Sequence, residues 1–250
     1  MYLKTPALVL RVTDYNDRDS LLTLLTASHG KLTAKARGLR RKNSPLTAPC
    51  QLLAYGEFTL FEYRGSYTVN EAEPLELFRS LRKDLTKLAL GSYFAQVSQA
   101  LSQEDQPNPE LLALTLNCLY VLSLGQCPEA QIKAVFEFRA ACLAGYTPDL
   151  SGCCVCGAPY PDRLDILSGR LVCSRCSRSD GGLRLPLTAG MLDALRYIAS
   201  CDAKKLFSFR MNAQTMEALS AVSESYLSAQ LEQGFSALDF YKSLFLHDES

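Results

Sequence analysis

The chain has 250 residues, 48% hydrophobic and 21% charged, which is enough apolar material for one large or two modest globular domains. No stretch approaches the roughly 20 uninterrupted apolar residues that a membrane span needs. The longest run, Leu111–Leu124, is too short and is interrupted by Asn117, so no membrane span is expected. Formal charge balances at 26 of each sign, yet residues 1–48 hold nine Lys/Arg against three Asp, so a net value of zero hides one strongly basic end.

The first 73 or so residues read as β structure. Alternating apolar and polar positions predict strands at Ala7–Val12, Leu21–Thr26, Lys31–Arg37, Leu52–Tyr63 and Tyr67–Asn70. Ser28-His29-Gly30 and Arg64-Gly65-Ser66 are short hairpin connections in which glycine supplies positive φ. Five short strands with one long member suit a Greek-key barrel of the OB type. From Pro74 the spacing becomes helical: Leu81, Leu85 and Leu88, then Leu90, Phe94, Val97 and Leu101. Ser102–Pro109 is a polar break. Leu111–Leu124, apolar nearly all round, reads as a central buried helix, and Pro128 opens another with Ile132, Val135, Phe136 and Leu143 inward and Gly145 at its end. Further helices are expected around Met191–Ile198, Met211–Leu227 and Ala237–Leu246. The fold class is therefore α+β, an OB barrel over residues 1–78 followed by an all-α domain over 79–250 that carries a four-cysteine zinc module at about 151–178.

The stretch Gly30–Ser44, GKLTAKARGLRRKNS, holds six basic residues (Lys31, Lys35, Arg37, Arg40, Arg41, Lys42) and no acidic one. Leu32, Ala34 and Ala36 alternate with Lys31, Thr33, Lys35 and Arg37, the period-two pattern of a half-buried strand. Such a strand turns three cations to one outer face, and Gly38 opens a loop with three more. A rigid cationic face suits an extended polyanion, with nucleic acid first and an acidic protein or anionic membrane as the alternative; a solvated surface is the plain reading of any charge run.

Five of ten cysteines fall within Cys153–Cys176. The pairs Cys153-x2-Cys156 and Cys173-x2-Cys176, sixteen residues apart, have the spacing of a four-thiolate zinc site, in which each two-residue gap lets one tight knuckle deliver two sulfurs to a single ion. Residues 164–172 between them read as a small hairpin. Four cysteine ligands leave no open coordination position, so a metal here is structural. A redox pair is the rival reading, weakened by the second pair and the lack of a βαβ context. Cys154 is a fifth thiol whose adjacency to Cys153 would strain a knuckle, and Cys50, Cys118, Cys127, Cys142 and Cys201 read as core residues.

No catalytic constellation is evident. There is no GxxxxGK[ST] loop, and the two histidines, His29 in a turn and His247 near the C-terminus, read as incidental. Glu71 and Glu73, at expected strand ends, and Glu104 and Asp105, in the polar break, read as solvated surface. Arg11 and Asp14 interrupt the only apolar run near the N-terminus, which lacks a signal-peptide layout, so a cytosolic chain without a disulfide framework is expected. The expectation is a protein that is not an enzyme.

Beside these readings, Ala7-Leu8-Val9-Leu10-Arg11, Tyr15 to Asp19, and Gly30-Lys31-Leu32-Thr33-Ala34-Lys35-Ala36-Arg37-Gly38 with Arg40, Arg41 and Ser44 resemble the bacterial RecO family of recombination mediators. Glu71-Ala72-Glu73, Phe78 and Leu81-Arg82-Lys83-Asp84-Leu85 continue the resemblance, as does a four-cysteine module within a helical domain; Asp17 departs from the glutamate common there. The resemblance implies binding to single- and double-stranded DNA, annealing of complementary strands, association with RecR, contact with the acidic tail of single-strand-binding protein, and help in loading RecA downstream. It places the protein in the cytoplasm, associated with the nucleoid.

On this reading Lys31, Lys35, Arg37, Arg40, Arg41 and Lys42, with Arg11 on the first strand, track phosphates and release counterions. Tyr15, Tyr63 and Tyr67 are candidates for base stacking, with barrel core or rim as the plain alternative. Two other functions stay open: an interaction scaffold whose basic face docks an acidic protein, with DNA binding secondary, and an RNA-binding OB protein.

Overall fold

The computed structural model describes residues 1–177 and 182–246. The expectation for His247, and the parts of the expected module and helical domain at 178–181 and 247–250, lie outside the described residues. Five strands, β1 (Tyr2–Asp14), β2 (Ser20–Thr26), β3 (Lys31–Ala36), β4 (Tyr55–Tyr63) and β5 (Ser66–Glu76), close into a barrel in the order β1-β2-β3-β5-β4. All pairs are antiparallel except β3 with β5, where Ala34 meets Tyr67 and Lys35 meets Thr68. This is the OB-like barrel expected.

Alternation decides what the barrel encloses. Val9, Leu22, Ala34, Phe58, Leu60 and Val69 all lie in one buried cluster, and on β3 the intervening Lys31, Thr33 and Lys35 lie outside it. The long first strand serves two partners, β4 through Tyr2–Leu8 and β2 through Ala7–Asp14, by bending at an irregularity between Val9 and Arg11. Val9 exchanges two backbone hydrogen bonds, each 2.9 Å, with Leu53 and Ala54 of the loop before β4. That contact corrects the expectation that β4 begins at Leu52: Leu53 has φ of 64°, and pairing starts only at Tyr55.

β5 also runs six residues beyond Asn70, so Glu71 and Glu73 sit within a strand, not at its end. Pro74 is tolerated because β3 pairs only as far as Thr68, leaving that edge without a ladder to donate to. Opposite Pro74 stands Gly56, where a Cβ would come within 2.6 Å of the Glu73 carbonyl oxygen. Glu71, Glu73, Glu104 and Asp105 are all exposed, as expected of solvated surface, and the Glu104 backbone also bridges to Gly30 and Lys31.

Six α-helices follow among the described residues: α1 (Leu85–Leu101), α2 (Pro109–Leu124), α3 (Glu129–Leu143), α4 (Ala189–Ser200), α5 (Ala213–Leu231) and α6 (Ser236–Leu246). Side-chain caps mark where several begin. Asp84 accepts from the Thr86 and Lys87 amides, Thr188 from Met191 and Asn212 from Thr215. The helix between 109 and 124 is not the central one, because it leaves Tyr120 and Leu124 about half exposed. The buried helix is α3, in which every side chain from Gln131 to Phe138 is shielded. Its two buried charges, Lys133 and Glu137, are paired inside: Lys133 Nζ lies 2.9 Å from Glu137 and 2.8 Å from Glu224 of α5. Burial lowers the Lys133 pKa, but the two carboxylates outweigh it and the net direction is upward.

A second sheet lies between α3 and α4: β6 (Asp149–Cys153), β7 (Arg163–Asp165), β8 (Arg170–Val172) and β9 (Arg184–Pro186), in the order β6-β8-β7-β9. β7 and β8 form the hairpin expected between the cysteine pairs. The chain makes two compact units. One comprises Met1–Leu124 with the segment from Phe235 onward, and the other Gly125–Gly234.

Candidate nucleic-acid interface and metal centre

The outer side of β3 carries Lys31, Thr33 and Lys35, and Arg37 follows it directly, while Leu32, Ala34 and Ala36 are buried. Across the sheet Lys35 is in register with Leu21, and Arg11 with Thr23, which in turn faces Thr33. Arg11 therefore shares this outer face. The loop joining β1 to β2 presents Tyr15 and Arg18, both exposed, and the β4–β5 turn presents exposed Tyr63, with the Arg64 guanidinium 5.2 Å from its ring centroid. In OB folds this strand face and these two loops form the oligonucleotide surface.

The cations are not equally available. Lys35 Nζ lies 3.2 Å from Asp19 Oδ2 and 4.3 Å from the centroid of the Tyr15 ring. Arg40 lies 3.2 Å from Asp14 and donates at 3.0 Å to the Asn16 carbonyl. Lys31 donates to the Gln99 carbonyl of α1 at 3.3 Å. Among the described residues, Arg11, Arg37, Arg41 and Lys42 make no ion pair, which leaves them the readiest partners for an incoming anion.

Asp19 organises the region. Its carboxylate accepts from the Gly38 amide at 2.9 Å and from the Asn16 side-chain amide at 3.0 Å, besides pairing with Lys35. The Gly38 amide is the main cause, followed by Asn16, of a carboxyl held down to about 2. Asn16 Oδ1 in turn accepts from the amides of Arg18 and Asp19, at 2.9 and 2.8 Å, closing an Asx turn. The two loops flanking β3 and β2 are thereby tied together, with Gly38 at φ of 68° supplying the reversal after β3. Sequence reading missed Asp14, Asn16 and Asp19 as organisers; an asparagine opening a short polar turn was the available signal. Tyr67 packs against the barrel core, whereas Tyr15 and Tyr63 are more than half exposed. Ser28 and His29 are hydrogen-bonded at 2.8 Å between Oγ and Nδ1, as neighbours within the β2–β3 turn.

The sulfurs of Cys153, Cys156, Cys173 and Cys176 all lie within 4.8 Å of one another, with Cys156 and Cys173 at 3.9 Å. A tetrahedral zinc with Zn–S of about 2.3 Å needs sulfurs about 3.8 Å apart, so this donor set fits such an ion. Each pair sits on a tight turn: the Gly157 amide donates to the Cys153 carbonyl and the Cys176 amide to the Cys173 carbonyl, both at 2.9 Å. Gly157, at φ of 73°, lets the first knuckle close. Backbone N–H groups of Cys156, Cys173 and Val155 point at Cys153 and pull its thiol down to about 6, toward the thiolate a metal requires. Cys154 is exposed, donates its amide to the Leu171 carbonyl, and stands outside the cluster. Of the others, Cys50 and Cys118 are buried and Cys127, Cys142 and Cys201 partly so; burial pushes Cys50 up to about 12.

Residues 1–78 match the family model described as Recombination protein O N terminal, and residues 82–239 match Recombination protein O C terminal. The chain is 36% identical over 245 residues to a protein of Acetivibrio thermocellus named DNA repair protein RecO, covering 97% of each. A protein of the same name from Heliobacterium modesticaldum is 32% identical over 240 residues, 92% of this chain and 85% of the relative. One from Alkaliphilus metalliredigens is 29% identical over 247 residues, 98% and 100%. With both models matched in order and the relatives aligned along nearly their whole length, the chain belongs to the RecO family.

Proposed function

We propose that this protein is a DNA-repair and recombination mediator that binds single- and double-stranded DNA through the outer face of β3 and its neighbouring loops. It anneals complementary strands and, with RecR, assists the loading of RecA onto DNA covered by single-strand-binding protein, whose acidic tail it contacts. Residues 1–78 form the DNA-binding domain, and 79–250 the helical domain with its zinc module, acting in the cytoplasm at the nucleoid without catalytic turnover. The observation that carries this reading is the cationic outer face of β3, flanked by loops bearing exposed Tyr15 and Tyr63, in a chain of this family.

Physically, Arg11, Arg37, Arg41 and Lys42 take phosphates first, and Lys31, Lys35 and Arg40 add to them by exchanging protein partners for DNA. Backbone contacts carry no base information, so little sequence preference is expected. Neutralised phosphates repel a second strand less, which favours annealing while base edges stay accessible. Cys153, Cys156, Cys173 and Cys176 would hold zinc, which supplies a structural cross-link. Among the described residues no helix is long and apolar enough to cross a membrane.

The test is fluorescence anisotropy with a labelled single-stranded oligonucleotide across a salt series. An Arg37→Ala, Arg41→Ala variant, checked for folding, should bind more weakly, with a salt slope shallower by about 0.7 for each lost phosphate contact. An unchanged curve would move DNA to another surface. A second reading, docking of an acidic protein, draws on Lys35 and Arg40 already holding carboxylates; it predicts weak DNA binding and tight capture of an acidic peptide.

A further inference from the structure

Two aspartates lie within the same cationic face, and their settings differ. Asp19 is largely shielded, with 17% side-chain exposure, and is bonded to Gly38, Asn16 and Lys35 together. Asp14, at the end of β1, is 67% exposed, and Arg40 opposite it is 43% exposed. Arg40 does not depend on Asp14 for its place. Its backbone amide donates to the Arg18 carbonyl at 3.1 Å and its guanidinium to the Asn16 carbonyl at 3.0 Å. An exposed pair of this kind contributes little, so a phosphate oxygen can replace the carboxylate at little cost.

We propose that Asp14 is a built-in competitor for nucleic-acid phosphate: it occupies Arg40 in the free protein, yields it when a strand crosses the face, and so sets affinity downward. The inference rests on the DNA-binding reading of this face. It assigns the two aspartates opposite parts, since Asp19 holds the loop that binds and Asp14 moderates how tightly it binds. A mediator that must hand a strand on benefits from such a counter-charge, because release is assisted by a carboxylate already at hand. Asp17 provides the control. It lies in the same loop, is exposed, and among the described residues pairs with no cation, so its removal changes charge alone.

The same anisotropy titration tests this with Asp14→Asn, Asp17→Asn, Arg40→Ala and the double variant Asp14→Asn, Arg40→Ala. Asp14→Asn should tighten binding by up to about fivefold at low salt, the equivalent of one exposed pair. Its salt slope should steepen by about 0.7, one added phosphate contact on a single strand. Asp17→Asn should gain less with no change of slope, and Asp14→Asn should gain nothing when Arg40 is absent. Equal gains from Asp14→Asn and Asp17→Asn, a gain that survives loss of Arg40, or no gain would each overturn the competitor role. If Arg37→Ala, Arg41→Ala weakens binding while Asp14→Asn does nothing, only that role falls. If the arginine variant also binds normally, the DNA face itself is misplaced and the inference falls with it.

Discussion

The barrel and the cysteine module are both small β structures, and they hold together by different means. The barrel closes on itself and encloses a continuous apolar cluster that includes Phe58 and Leu60, neither exposed at all. The module has three strands of only three residues each, and four of its central side chains are thiols converging on one point. Strands that short bury too little to be stable alone. The difference is instructive: where the sequence supplies alternating leucine and alanine, burial makes the fold, and where it supplies paired cysteines, four thiols are gathered that could hold an ion.

Removing the metal should separate the two regions most sharply. A chelator, or Cys156→Ser, should cost the module its β6–β9 sheet, since structural zinc supplies folding free energy on the order of 10 kcal/mol in small modules. Hydrogen exchange would show protection lost across residues 149–172 and retained across β1–β5. A module that stays protected without metal would overturn the distinction. A smaller effect comes from the other side. Phe58→Ala should destabilise the barrel by about 3–5 kcal/mol through cavity formation, read as a lower denaturant midpoint, with bound metal unchanged. The smallest effect belongs to Asp19. Its carboxyl is held at about 2, below its unfolded value of 3.8, so the tie to Gly38 contributes fully above about pH 4. That contribution is lost as pH falls through 2. Slow exchange of the Gly38 amide should therefore persist to about pH 4 and fade near pH 2, and Asp19→Asn should exchange faster at neutral pH, with the two proteins converging in acid.

Much of this was legible in advance, for identifiable reasons. Leu32, Ala34 and Ala36 announce a strand because a two-residue period has no other use, and the cysteine spacing needs no tertiary information. The extent of β1 and β5 was not legible. Tyr2–Pro6 and Glu71–Glu76 pair by backbone in stretches whose side chains do not alternate cleanly. Nor was the central position of α3, because Lys133 and Glu137, four residues apart, look like a solvated pair until Glu224 arrives from α5. The cationic face was visible as composition, but the hold of Asp19 on Gly38 spans nineteen residues and the hold of Asp14 on Arg40 spans more. Such contacts exist only once the barrel has closed.

The last helix carries a consequence for how the molecule is made. α6 completes the first compact unit: Phe235 meets Tyr93 of α1 at 5.6 Å between ring centroids, and Gln96 bonds both Ser236 and the Ala237 amide at 3.1 Å. On a ribosome the barrel, α1 and α2 emerge first, while the roughly 110 residues from Gly125 to Gly234 take on the order of ten seconds to follow. Throughout that interval the α1 face around Tyr93 waits without its cover. The first part to be synthesised is thus finished late, and a nascent chain is open to chaperones, or to a stray apolar segment, at the place that α6 will later close.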